Sequence, residues 1–304
     1  MSGPELAAGA ARVVLLPACG GAIASFTLDA VPVLRPMSAD AIANPRVRDT
    51  ASFPLVPYSN RIRNARLSCG GREHALARNF GDHSHAIHGV GWQREWRVAD
   101  AAPRRAVLTL SHDARGDSRN AWPWPFVATQ TFDLAGNDRE AALTLSLSIA
   151  NDGDEAFPFG LGWHPYFPRD ASTSLEFDAA GVWMNDATEI PVERIAAVDR
   201  WSFATPRAFG CATIDNVFIG WKGTAMLASH ALRTTVTADA ACDRLVVFAP
   251  AGRDFVAVEP VTHETDAFNR SAAGAVDTGT RMLRPGASFS CTMRLAVRLA
   301  TRPP

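Results

Sequence analysis

Two stretches of the chain alternate between apolar and polar positions with a period of two. Leu143, Leu145, Leu147 and Ile149 interleave with Thr144, Ser146 and Ser148; near the C-terminus Phe289, Cys291, Met293, Leu295, Val297 and Leu299 interleave with Ser290, Thr292, Arg294, Ala296 and Arg298. Successive strand side chains point to opposite faces, so this pattern predicts β-strands with one buried and one wetted face. Shorter apolar runs predict further strands at 13–16, 107–110, 126–134, 217–221, 234–237, 245–248 and 255–258. Turn formers such as Asn151-Asp152-Gly153-Asp154 and Pro250-Ala251-Gly252-Arg253 separate them. The chain shows no long amphipathic helical pattern, no fixed-period repeat and no low-complexity linker. Many short strands with turn punctuation predict an all-β fold, a sandwich or barrel, as one domain over residues 1–304.

Composition narrows the chemistry. The 304 residues carry 30 basic and 31 acidic side chains, a formal charge of −1, and this balance gives no basic surface for nucleic acid. Lys222 is the only lysine, in Gly220-Trp221-Lys222-Gly223, so neither a Schiff-base lysine nor a phosphate-binding Gly-Lys-Ser/Thr loop is present. Codon bias in a GC-rich genome accounts for arginine taking lysine's place. Cys19, Cys69, Cys211, Cys242 and Cys291 are odd in number and widely spaced, which fits small core residues in a reducing compartment better than a disulfide framework. There is no basic leader and no apolar run near the ~20 residues of a spanning helix, so a cytoplasmic protein without a membrane partner is expected.

Four clusters carry candidate chemistry. Asn60-Arg61-Ile62-Arg63 offers rigid guanidinium forks for a hydroxyl or carboxylate, or merely a surface ion pair. His83, His85 and His88 lie within six residues. Such density raises the question of a metal, but strand geometry would put His83 and His85 on one face and His88 on the other, with no glutamate close behind. His88, between glycines and Trp92, is the better candidate for a pocket residue. In Phe159-Gly160-Leu161-Gly162-Trp163-His164-Pro165-Tyr166-Phe167, aromatic surroundings would tune His164 for acid/base work unless it is a satisfied core histidine. Glu259 precedes Pro260 at the end of an apolar run, which predicts a carboxylate at a sheet rim, acting as a base or as a cap.

Taken in order, Asn60-Arg61-Ile62, His88-Gly89, Gly162-Trp163-His164-Pro165-Tyr166-Phe167, and Glu259-Pro260 followed by Asp266-Ala267-Phe268-Asn269 resemble the aldose 1-epimerase (galactose mutarotase-like) family. Trp163-His164-Pro165 and His88-Gly89-Val90 are similar to a divergent bacterial branch rather than to the galactose mutarotases themselves. The resemblance implies a large antiparallel β-sandwich and a sugar substrate, with no cofactor and no metal. It further implies Glu259 as general base at the C1 hydroxyl, His164 as general acid at the ring oxygen, and His88 supporting that oxygen. Asn60, Arg61 and Asp215 would bind sugar hydroxyls. Trp92 or Trp163 would stack on the sugar, and Tyr58 and Tyr166, the only tyrosines, are expected in the pocket wall. A hexose-6-phosphate mutarotase, with Arg63 and Arg94 near the motifs, a non-catalytic sugar sensor, and a glycosidase using Asp215 with Glu259 are the alternatives.

Overall fold

The computed structural model describes residues 3–209 and 213–300; Cys211 lies outside them. Both alternating stretches form the longest strands. Glu140–Asn151 and Ser288–Leu299 pair antiparallel in the middle of a nine-stranded sheet, Leu143 opposite Leu295 and Leu147 opposite Cys291. Their apolar positions are buried, except Phe289 and Leu299 at the ends of the last strand, which are half-buried, while Thr144, Ser146 and Arg294 face outward. The expected runs at 107–110, 126–134 and 234–237 lie in Arg105–His112, Phe126–Gly136 and Leu232–Ala238 of the same sheet. A four-stranded sheet at the N-terminus contains the 13–16 run in Ala11–Leu16.

The other large sheet explains why some runs are continuously apolar instead of alternating. Its order is Pro191–Ala196, Gly181–Asn185, Ile214–Ile219, Arg244–Ala249, Phe255–Val261, Gly162–Trp163 and Pro54–Leu55, with Tyr166–Pro168 also paired to Phe255–Val261. One face, with Phe218, Leu245, Val247 and Val258, joins the core shared with the nine-stranded sheet. The opposite face, with Val217, Val246, Ala257 and Val261, is covered by Phe53, Ile87 and Trp92 in a second apolar cluster. A strand buried on both faces has no wetted positions to alternate with. The result is the expected all-β sandwich; among the described residues the three α-helices are four to six residues long.

Two expectations are corrected at this level. The 217–221 run ends as a strand at Ile219, because Gly220 turns the chain with φ +63°. Of the cysteines, Cys242 and Cys291 are core residues, whereas Cys19 and Cys69 are half-buried. No helix among the described residues is long and apolar enough to cross a membrane.

Candidate active site

Asn60, Arg61, His88, His164, Asp215 and Glu259 all line one cavity of about 540 Å³ over the second face of the eight-stranded sheet. Two roomier surface grooves, of about 880 and 710 Å³, lie near the N-terminus and on the outside of the nine-stranded sheet, and neither is lined by a buried titratable group.

The strand period aims the carboxylates. Asp215 on Ile214–Ile219 shares its face with Val217, and Glu259 on Phe255–Val261 shares its face with Ala257 and Val261. Glu259 is not at a sheet rim as its proline neighbour predicted; it sits inside the ladder opposite Val246 and is 2% exposed. Residues of even number in this strand donate toward the Gly162–Trp163 side, as Val258 N–H to Pro165 O and Thr262 N–H to Leu161 O show. Pro260 therefore turns its missing N–H toward the gap between Gly162–Trp163 and Tyr166–Pro168, where the neighbouring strand is interrupted anyway. The same interruption places His164, whose backbone N–H donates to Phe53 O at 3.0 Å. Its Nε2 meets Glu259 Oε1 at 3.2 Å, and its buried Nδ1 has no hydrogen-bond partner among the described residues.

Burial sets the protonation of this pair. Desolvation lifts the Glu259 carboxyl well above the usual carboxylate range, with Asp215 adding to it and Arg61 opposing. Desolvation, then Arg35 and Arg61, depress His164 to about 3. Burial thus favours the neutral arrangement of the pair, with the proton on Glu259.

His88 and Asn60 brace each other. Both hold left-handed backbone, with φ +59° and +56°. His88 N–H donates to Asn60 O at 2.9 Å, and Asn60 N–H donates to His88 Nδ1 at 3.1 Å. Backbone strain of this kind costs roughly 1–3 kcal/mol per residue and persists where surroundings over-determine it. Because Nδ1 accepts, the ring carries its proton on Nε2, and burial holds the imidazole neutral. Its ring centroid lies 5.4 Å from that of His164, edge to face. Gly89, at φ +70°, is required next: a Cβ there would stand 2.3 Å from Val56 O.

Arg61 reaches three partners. It bonds Asn60 Oδ1 at 3.0 Å, pairs with Glu189, and approaches Asp215 Oδ2 at 3.4 Å. Burial raises the Asp215 pKa, opposed by Arg61. The ion pairing anticipated as an alternative for Arg61 thus occurs inside the pocket, while Arg63 turns away to Asp266.

Other expectations change. Residues 81–85 form turns rather than a strand, and each histidine there is engaged: His85 Nδ1 accepts from Asn64 N–H and its Nε2 meets Thr188 O, while His83 Nε2 meets Glu189. Among the described residues no group of three His, Cys, Asp or Glu side chains is placed to hold a metal ion. Trp92 lines the cavity, stacked on Phe53 at 5.6 Å, but Trp163 belongs to the shared core. Tyr166 lines the cavity and stacks on His164 at 4.5 Å, whereas Tyr58 packs against Trp122 away from it. Arg94 does not line the cavity; Arg35, Arg46, Arg48 and Arg253 do.

His263 was not anticipated. Its Nε2 accepts from Ser59 N–H at 3.0 Å and its Nδ1 donates to Glu264 O at 2.7 Å, so it anchors the segment leading into Asn60-Arg61. Burial depresses its pKa from 6.5 to about 4. Unfolding then takes up a proton between those values, so stability is full above pH 6.5 and falls as pH drops toward 4, by up to roughly 3 kcal/mol for this group. Glu259 acts with the opposite sign, its raised pKa costing stability as pH rises above the usual carboxylate range. Urea midpoints of wild type and His263→Gln at pH 7 and pH 4.5 are expected to show a shallower acid loss in the variant; parallel losses would contradict this assignment.

A family model described as aldose 1-epimerase matches residues 5–296. An uncharacterised protein of Escherichia coli K12, YphB, is 31% identical over 288 residues, covering 91% of this chain and 93% of its own. A crystal structure of an Escherichia coli K12 protein assigned provisionally as an aldose 1-epimerase superposes with a TM-score of 0.86 at 27% identity, over 98% of this chain and 99% of the other. A galactose 1-epimerase from Lactobacillus acidophilus shares the fold, with a TM-score of 0.76 at 17% identity over 96% and 92% of the two chains.

Proposed function

The chain belongs to the aldose 1-epimerase family, and on that premise we propose that it interconverts the α and β anomers of an aldohexose by opening and reclosing the ring at C1. The observation that carries this reading is the His164–Glu259 contact of 3.2 Å inside a sugar-sized cavity. Ring opening removes the proton from O1, delivers one to O5 and breaks the C1–O5 bond. Glu259 takes the first proton and His164 Nε2 gives the second. Rotation about C1–C2 and the reverse transfers then close the other anomer.

The proton inventory is consistent with this shuttle. Opening starts from carboxylate and imidazolium and ends at carboxylic acid and neutral imidazole, the arrangement that burial favours. Desolvation of the pair therefore lowers the open-chain state relative to the closed one. Before opening, the shared proton must cross from Glu259 to His164, and sugar hydroxyls donating to the carboxylate assist that transfer. His88 presents its Nε2–H beside His164 and stabilises negative charge growing on O5. Arg61, held by Asn60 and Asp215, binds ring hydroxyls; Glu189 joins this set. Trp92 and Phe53 offer apolar faces to the sugar.

Polarimetry on freshly dissolved α-glucose, α-galactose and α-glucose 6-phosphate tests the proposal: acceleration over buffer is expected for at least one. No acceleration with any of them would favour a non-catalytic sugar-binding protein, and release of nitrophenol from nitrophenyl glycosides would favour a glycosidase.

A further inference from the structure

The two ends of the cavity differ in charge. At one end Asp215 and Glu189 share the Arg61 guanidinium. At the other, Arg35, Arg46, Arg48 and Arg253 line the mouth, and the lining carboxylate there, Asp49, is held by Arg46 at 2.7 Å. Among the described residues Arg35, Arg48 and Arg253 have no carboxylate within ion-pair distance. These three come from separate segments: Arg35 follows Val31–Pro32, Arg48 sits in the Val47–Asp49 turn, and Arg253 lies in the turn before Phe255–Val261. They are near neighbours. Burial lowers the Arg35 pKa, Asp49 and Asp254 oppose this and Arg253 adds to it; burial raises that of Tyr166, opposed by Arg35 and Arg48.

Codon bias explains why these residues are arginine rather than lysine. It does not explain why three of them gather at one mouth with no carboxylate in an ion pair, where an arriving anion would add to the opposing charge that Asp49 and Asp254 supply. Arg35 is also pre-oriented. Its guanidinium stacks on Tyr166 at 3.9 Å and Phe255 at 4.6 Å, and its Nη2 donates to the carbonyls of Arg48 and Thr50 at 2.6 and 2.8 Å. Among the described residues its Nε and Nη1 have no hydrogen-bond acceptor. Arg48 lies over Phe80 at 4.7 Å.

The route from the catalytic pair to this cluster fixes where the anion belongs. His164 stacks on Tyr166 at 4.5 Å, and Tyr166 carries Arg35 on its ring. In a pyranose the atom that bears C6 is bonded to O5. With His164 at O5, a reading this step rests on, a group on C6 projects toward Tyr166 and the arginines. The geometry points to an aldose with an anionic group on C6, a hexose 6-phosphate or a hexuronate, as the sugar of this cavity, its anion held by Arg35, Arg48 and Arg253.

Dissociation constants for glucose, glucose 6-phosphate and glucuronate, measured by calorimetry at low and high salt, test this assignment separately from turnover. At least one anionic sugar is expected to bind at least about tenfold tighter than glucose, the scale of one charge-assisted hydrogen bond. High salt should shrink that advantage. The double variant Arg48→Ala/Arg253→Ala should bring the ratio toward one. Tighter binding of the phosphate or of the uronate identifies the anion, and either upholds the assignment. Glucose binding as well as both anionic sugars would overturn it, as would a double variant that keeps the full preference. Glucose anomerisation without any charge preference defeats this assignment alone, whereas anion-selective binding with no anomerisation of any sugar defeats the mutarotase proposal and leaves the arginine cluster's role standing.

Discussion

Glu259→Gln and His164→Asn are each expected to slow anomerisation by at least about a hundredfold, the contribution of one positioned proton donor or acceptor. The effect should appear in kcat more than in KM, because each group exchanges protons with the sugar only as the ring opens. Both variants should remain folded. Burial already favours the uncharged carboxyl at Glu259, so a neutral amide of the same shape replaces it with little change in solvation, and asparagine retains a polar group beside Glu259 in the space vacated by the imidazole. Exchange NMR between the anomeric protons gives the rates directly. Near-native rates in both variants would remove this pair from the mechanism, whatever else the cavity does.

A large stability loss is expected for Gly160→Ala. A Cβ at Gly160 would stand 1.7 Å from Cδ2 of His263, whose ring is pinned on both sides by its bonds to Ser59 N–H and Glu264 O. The imidazole cannot swing aside without leaving a buried backbone N–H unpaired. Overpacking costs about 1–3 kcal/mol and an orphaned buried donor about 1–3 kcal/mol more, so a loss of roughly 2–6 kcal/mol in urea unfolding is expected. Because His263 anchors Ser59 immediately before Asn60-Arg61, weaker sugar binding should accompany it. A variant as stable as wild type would show that the ring is not held as described.

Strand positions were readable because their cause is local. Period two at 143–149 and 289–299 reports a sheet with one wet face, and the continuous runs at 245–248 and 255–258 report strands covered on both. The resemblance that the ordered motifs carry named six residues as a set, and all six line one cavity. What escaped was set by pairing between distant segments. Pro260 reads as a strand stop, yet the interrupted neighbouring strand leaves its missing N–H harmless and puts Glu259 inside the sheet. Trp163 sits in a motif but points to the shared core, a choice that alternation alone does not reveal in strands buried on both faces, and Tyr58, in the loop before Asn60, packs into that core as well. Glu189 and the arginines of the cavity mouth have no motif around them, and topology alone brings them to the site; His263 lies between Glu259-Pro260 and Asp266, but its bond to Ser59 N–H depends on the same distant pairing.

In the proposed reaction the bond broken and remade is C1–O5, with O1 staying on the sugar. Freshly dissolved α-glucose or α-glucose 6-phosphate, whichever turns over faster, labelled with ¹⁸O at O1, distinguishes this from cleavage at C1–O1. The ¹³C signal of C1 then reports anomer and label together. Anomerisation faster than in buffer, with the label lost no faster than without enzyme, is the predicted result. Absence of acceleration, or label leaving to water in step with anomerisation, would contradict the account.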